Sequence, residues 1–289
     1  MPRSDPAERL TAQLLRRWPL PGVDPRGGKE SRGAVLIVGG APQMPGAVIL
    51  AATAALRAGA GKLTIATARS VAPLVGAMVP EALVLALPET RKGALAPSSA
   101  RALAKAAEAC QAVLIGPGLV EAARFVAALL PRLGKQRLVL DAGALLPEVL
   151  PAGEVALTPH GGEMAQLLGI SRAAVEKDPA QAAWRAAKKF GAAVALKGAE
   201  TFIADPGGRL LCNSDAGNAG LGVSGSGDTL SGIVAGLVAR GADLLQALAF
   251  GVYLHGRAGD VLARKVGPLG YLPRELLAEI PREMARLSR

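Results

Sequence analysis

From Gly33 onward, short runs of Val, Ile and Leu alternate with Ala-rich stretches of helical length. That pattern predicts a mostly parallel sheet covered on both faces by helices, because strands buried on both sides need no polar alternation. Predicted strands are Ala34 to Val38, Lys62 to Ala66, Ala82 to Leu87, Ala112 to Ile115, Arg137 to Leu140, Val155 to Leu157 and Ala193 to Leu196. Helices are expected over Ala47 to Ala58, Ser98 to Ala109, Glu121 to Leu133, Pro179 to Phe190, Asp228 to Arg240 and Asp243 to Arg264. Between Thr201 and Asn213 a Pro-Gly-Gly turn separates two short apolar runs, which predicts a small hairpin appended to the parallel sheet. Residues 1–32, with several Pro and Gly, read as a lead-in arm; residues 33–289 read as a single α/β domain.

Composition narrows the function classes. At 289 residues and 51% hydrophobic content the chain can bury a large core. No apolar run reaches the roughly 18 to 20 residues of a membrane span. The first residues, MPRSDPAERL, mix charge and proline where an export signal carries an apolar stretch, so a cytoplasmic place is expected. Cys110 and Cys212 stand far apart with no metal-like spacing, which implies neither a disulfide framework nor a zinc site. A net charge of +10 invites nucleic acid, but with 3% aromatic residues the chain lacks a base-stacking surface. The arginines crowd the two ends as solvated faces, and the basic excess favours anionic small molecules.

The chemistry collects where each strand ends, the side of an open α/β sheet on which ligands bind. Successive strands are followed by Gly39-Gly40, Gly116-Pro117-Gly118, Asp141-Ala142-Gly143, Thr158 to Glu163 and Lys197-Gly198. The segment Asn218 to Gly232, NAGLGVSGSGDTLSG, then sets small residues, one carboxylate and a helix start side by side. Backbone N–H groups around Ser224, Gly225, Ser226 and Gly227 can close on an anion, with Asp228 beside it to accept a proton from a substrate hydroxyl. The alternative is an ordinary helix cap. The spacing of Gly220, Gly222 and Gly225 matches a dinucleotide fingerprint but follows a polar stretch instead of a buried strand, and no Walker A loop is present. His160 falls inside the proposed cleft, whereas His255 lies in an apolar helical stretch and reads as structural. Glu163 either reaches a magnesium–water cluster or enters the first turn of a helix. Lys197 ends a buried strand, where a phosphate contact suits it.

Eight segments in this order resemble the ADP/ATP-dependent NAD(P)H-hydrate dehydratases of the ribokinase-like superfamily. They are VLIVGGAPQMPGA (35–47), ALRAGAGKLTIAT (55–67), IGPGL (115–119), LDAGALL (140–146), LTPHGGE (157–163), LKGAET (196–201), NAGLGVSGSGDTLSG (218–232) and YLHG (253–256). The resemblance implies a ribokinase-like fold and an enzyme that dehydrates the S epimer of hydrated NADH or NADPH at the expense of ADP or ATP. It implies that Ala47, Gly118 and His160 contact the hydrated dinucleotide and that Asp228 is the catalytic acid/base. Lys197, Gly198, Ala199, Glu200, Thr201 and Gly227 would contact the adenine nucleotide, joined by Asn218, Gly225 and Ser226 of the same anion segment. Mg2+, a homotetramer and a separate epimerase that interconverts the two hydrates are further implications.

Three positions depart from the family pattern: Ser224 where a glycine is usual, Gly28-Lys29-Glu30 where His-Lys-Gly is usual, and Gly161 where a proline commonly follows the strand-end His. Two rival functions share the anion segment. One is a ribokinase-like kinase of a pyrimidine or thiazole alcohol; the other is a nucleotide-sensing module without turnover.

Overall fold

The computed structural model describes residues 6–22, 24–134, 136–151 and 153–288. Ten strands form one sheet: β1 (Glu8–Arg9), β2 (Ala34–Val38), β3 (Lys62–Ala68), β4 (Leu83–Leu87), β5 (Ala112–Ile115), β6 (Arg137–Leu140), β7 (Val155–Leu157), β8 (Ala193–Leu196), β9 (Thr201–Ala204) and β10 (Leu210–Asn213), in the order β1-β10-β9-β8-β7-β6-β5-β2-β3-β4. From β8 to β4 every neighbour is parallel, while β9 is antiparallel to both β8 and β10. The appended hairpin and the mostly parallel sheet are as expected, and each predicted strand is present within two residues of its expected ends. β5, β7 and β8 are buried at every position, in keeping with their unbroken apolar runs.

Among the described residues eleven α-helices accompany the sheet: α1 (Ala12–Arg17), α2 (Pro45–Arg57), α3 (Ala72–Met78), α4 (Ala100–Ala107), α5 (Ala123–Leu129), α6 (Gly161–Leu168), α7 (Arg172–Lys177), α8 (Pro179–Phe190), α9 (Ser226–Ala239), α10 (Leu244–Lys265) and α11 (Pro273–Leu287). The six expected helices correspond to α2, α4, α5, α8, α9 and α10, with α4 and α5 shortened by single 3-10 turns at one end. α6 is the helix whose first turn is one of the two places expected for Glu163, while α1, α3, α7, α11 and β1 lie outside the expected elements. Within the expected arm, of which residues 1–5 and 23 lie outside the described residues, β1 pairs in parallel with β10 and α1 buries Leu14 and Leu15. The C-terminal arginines expected on a solvated face belong to α11, whose other face buries Leu276, Leu277 and Ile280. Arg282 and Arg286 are themselves exposed but pair with the buried carboxylates of Glu279 and Glu283.

One contact sets the depth of the site. α9 is buried on nearly every side, and it lies against α2 through Gly232 and Gly236. A Cβ at Gly232 would fall 2.2 Å from the Ala51 carbonyl oxygen, and one at Gly236 2.4 Å from that of Ala55. Only glycine permits so close a backbone approach.

Candidate active site

Because β8, β7, β6, β5 and β2 are consecutive in the sheet and parallel, the five strand ends singled out in the sequence stand side by side along one edge. Between β5 and β2 the chain order reverses, and there the two glycine turns meet: the Gly40 N–H donates to the Pro117 carbonyl at 2.8 Å. Gly118, at φ +67, has no room for a side chain; a Cβ there would lie 2.6 Å from the Met44 carbonyl oxygen and 3.0 Å from the Ala47 methyl. The structure thus brings Ala47 and Gly118 together at the switch point.

A second part of the edge opens as a cavity of about 760 Å3. Lys197, Gly198, Ala199 and Thr201 line it from the end of β8 and the turn after it. Ser226 and Gly227 line it from the start of α9, Asn218 from the preceding loop and His160 from the end of β7. Glu200 is exposed and, with Gly225 and Asp228, stands off this wall, as do Ala47 and Gly118. His160 and Lys197 sit directly opposite each other in a single parallel bridge beyond β7 and β8, with the Lys197 N–H donating to the Pro159 carbonyl at 2.8 Å. That pairing ties the expected dinucleotide contact to the expected nucleotide contact.

The start of α9 has donors to spare. Gly225, in the left-handed conformation at φ +94, turns the chain into the helix. The Ser226 N–H is spent on the Val223 carbonyl at 3.2 Å, so the first-turn amides left facing outward are those of Gly227 and Asp228. With the helix dipole behind them they are suited to an anion. The Ser226 hydroxyl is buried against His255 Nε2 at 3.0 Å, and burial pushes His255 down to about 4, so its ring is neutral. His255, expected to be structural, lies at the cavity wall and bonds the anion segment itself. Asn218 is likewise engaged: its amide donates to Asp260, and its oxygen accepts from the Gly220 N–H and the Tyr271 hydroxyl.

Asp228 is mostly buried, and burial followed by the nearby Asp141 carboxylate pushes it up to about 6 against the pull of Lys197. A carboxyl at that value accepts and returns protons near neutrality. Lys197 is held charged, since Asp141 and Glu163 together outweigh the opposing effect of burial. The sequence reading placed Asp141 at a strand end without giving it a task; its side chain accepts from Lys197 Nζ at 2.9 Å and from the Thr158 hydroxyl at 2.8 Å.

His160 and Glu163 form a reciprocal cap at the start of α6. The His160 Nδ1 accepts from the Gly162 and Glu163 amides, and the Glu163 carboxylate accepts from the His160 N–H at 2.8 Å. With Nδ1 accepting, a neutral His160 carries its proton on Nε2, which lies 3.6 Å from the Glu163 carboxylate. Glu163 enters the first helical turn, one of the two places open to it. Among the described residues no group of three or more His, Cys, Asp or Glu is placed to hold a metal. The donor set fits a magnesium ion held mainly by nucleotide phosphates and water, and does not fit a dedicated protein cage.

Known proteins match the chain over most of its length. The family model for NAD(P)H-hydrate dehydratase matches residues 35–282. An ADP-dependent (S)-NAD(P)H-hydrate dehydratase of Xanthomonas campestris is 50% identical over 285 residues, covering 97% of each chain. A bifunctional NAD(P)H-hydrate repair enzyme of Moorella thermoacetica is 40% identical over 97% of this chain, which spans 54% of that longer protein. The crystal structure of the ADP/ATP-dependent NAD(P)H-hydrate dehydratase of Bacillus subtilis, co-crystallised with ATP/Mg2+, superposes with a TM-score of 0.84 at 32% identity, covering 97% of this chain and 99% of the other.

Proposed function

The chain belongs to the NAD(P)H-hydrate dehydratase family, and from that premise we propose that it dehydrates the S epimer of hydrated NADH or NADPH, using ADP or ATP and releasing AMP or ADP with phosphate. The fold is ribokinase-like. The observation that carries the reading is the meeting of Asp228, poised near neutrality, with Lys197 and the outward amides of Gly227 and Asp228.

The nucleotide lies in the cavity beside β8, with Lys197 to Thr201 around it and its terminal phosphoryl group at the start of α9. The hydrated dinucleotide lies across the switch point, over Ala47 and Gly118, with the His160 Nε2–H donating to it. Asp228 takes the proton of the ring hydroxyl as that oxygen bonds to the terminal phosphoryl group and the bond from phosphorus to the departing AMP or ADP breaks. Phosphate then departs with the C–O electron pair, pushed out by the ring nitrogen, and loss of a proton from the adjacent carbon restores the double bond. Hydroxide is a poor leaving group and phosphate a good one, so a phosphoryl-transfer site serves a lyase. Magnesium, when bound with the nucleotide, neutralises phosphate charge, and Glu163 would reach it through water.

The proposal extends to the surroundings of the site. An enzyme that uses one hydrate epimer requires a partner activity that interconverts the two, hence a separate epimerase. A homotetramer is part of the reading; among the described residues β4 is a free sheet edge, and its Leu83 and the Leu74 and Met78 of α3 are exposed. The place of action is the cytoplasm; among the described residues no helix is long and apolar enough to cross a membrane.

Incubating hydrated NADH with the protein and either ADP or ATP tests the reading. The near-ultraviolet absorbance of the reduced nicotinamide should return with at least one of the two, and the parallel assays identify the donor. No return with either rejects the dehydratase; phosphorylation of a pyrimidine or thiazole alcohol would put the kinase in its place.

A further inference from the structure

Two carboxylates and one ammonium gather at the ends of β6 and β8 and the start of α9, and the ammonium is bonded to Asp141. The Asp141 side chain is 2% exposed and its Oδ1 receives both the Lys197 ammonium and the Thr158 hydroxyl. The backbone is turned to put it there: the next residue, Ala142, is a non-glycine at φ +45, a conformation that persists only where its surroundings hold it. Lys197 Nζ lies against the first turn of α9, 3.4 Å from where a Cβ on Gly227 would be. The ammonium thus touches the phosphoryl-binding end of the helix while its hydrogen bond is committed to Asp141.

We propose that Asp141 is a positioning residue of this site: fixed by Thr158, it holds the Lys197 ammonium at the start of α9 and off Asp228, leaving Asp228 able to take a proton. The inference deepens the dehydratase reading and rests on it only for which substrate proton Asp228 takes. Asp141 takes two donors on one oxygen, and after burial it is the main influence that raises Asp228. The charged and titratable groups facing the cluster are Asp141 from the end of β6, His160 from the end of β7, Lys197 from the end of β8, Glu163 from α6 and the neutral His255 from α10.

The test reads the charge of Asp228 directly. Carboxyl-carbon NMR of protein labelled at aspartate, with Asp228→Asn to assign the signal, gives its titration midpoint without nucleotide or substrate. The midpoint near 6 should fall by about one unit or more in Asp141→Asn and rise in Lys197→Met, and the acid limb of kcat/KM should move the same way in Asp141→Asn. A folded Asp141→Asn variant with an unchanged midpoint overturns the proposal. Should that variant fail to fold, Thr158→Val carries the test, with a smaller fall expected and no fall counting against it. Shifts of the expected signs in a protein without dehydratase turnover would uphold this inference and remove the functional reading instead.

Discussion

At the ends of β2 and β5 the edge of the sheet is made of backbone, Gly40 bonded to Pro117 and Gly118 wedged between Met44 and Ala47. At the ends of β6, β7 and β8 it is made of side chains, with Asp141, Thr158, His160 and Lys197 in mutual contact or facing one another. The first region offers shape and close approach, and the second offers charge and transferable protons. A dinucleotide needs a surface to lie on, and a phosphoryl group in transit needs counter-charges, so each region is suited to one of the two ligands proposed. The two should also fail in different ways when altered.

The largest effect is expected on the side-chain half. Asp228→Asn should bind both ligands and lose about 10²- to 10⁴-fold in kcat; single-turnover and binding measurements separate the two. The same variant has a stability signature with a definite sign. The carboxyl titrates at about 6 in the folded chain against 3.8 ordinarily. Between those values the folded state holds a proton that the unfolded state has lost, so the contribution to stability falls as pH rises through that window. Asp228→Asn should therefore unfold at higher urea than its parent at neutral pH, by roughly 2 kcal/mol, and lose that advantage below about pH 4. A variant no more stable than its parent at neutral pH would mean that Asp228 is not held poised.

An intermediate effect belongs to the backbone half. Gly118→Ala must place a methyl where the Met44 carbonyl and Ala47 already stand, at a left-handed φ. It should raise KM for the hydrated dinucleotide by about 10- to 100-fold, equivalent to the roughly 1 to 3 kcal/mol of such strain, while nucleotide affinity is unchanged. Equal loss of both ligands would erase the division between the two regions. The smallest effect is expected from Ser224→Gly. Ser224 is exposed at the rim of the anion segment, so restoring the usual glycine should tighten nucleotide binding by about two-fold, read by calorimetry.

The two regions also differ in how they can be read from sequence. The glycine turns follow directly from apolar runs that end in Gly, and those runs are unbroken because their strands are buried on both faces. Ala47 and Gly118 meet because β2 and β5 are neighbours. Asp141 and Lys197 are 56 residues apart, and their ion pair exists only because β7 lies between β6 and β8. No local pattern announces it. The same is true of Ser226 and His255, whose bond joins two helices. Among the helices, α11 escaped notice because Pro281 interrupts its pattern and its buried face includes two glutamates, which read as surface until their arginine partners are seen. α6 starts with Gly161-Gly162 and is recognisable only through the His160 cap.

α2 carries Ala47, α9 carries Asp228, and between these two rods there is not the thickness of a methyl group at Gly232 and Gly236. Neither rod can roll without driving a carbonyl into its neighbour. The span from the proton acceptor to the floor beneath the dinucleotide is thus a fixed gauge, and any adjustment on ligand arrival falls to the loops at the rim.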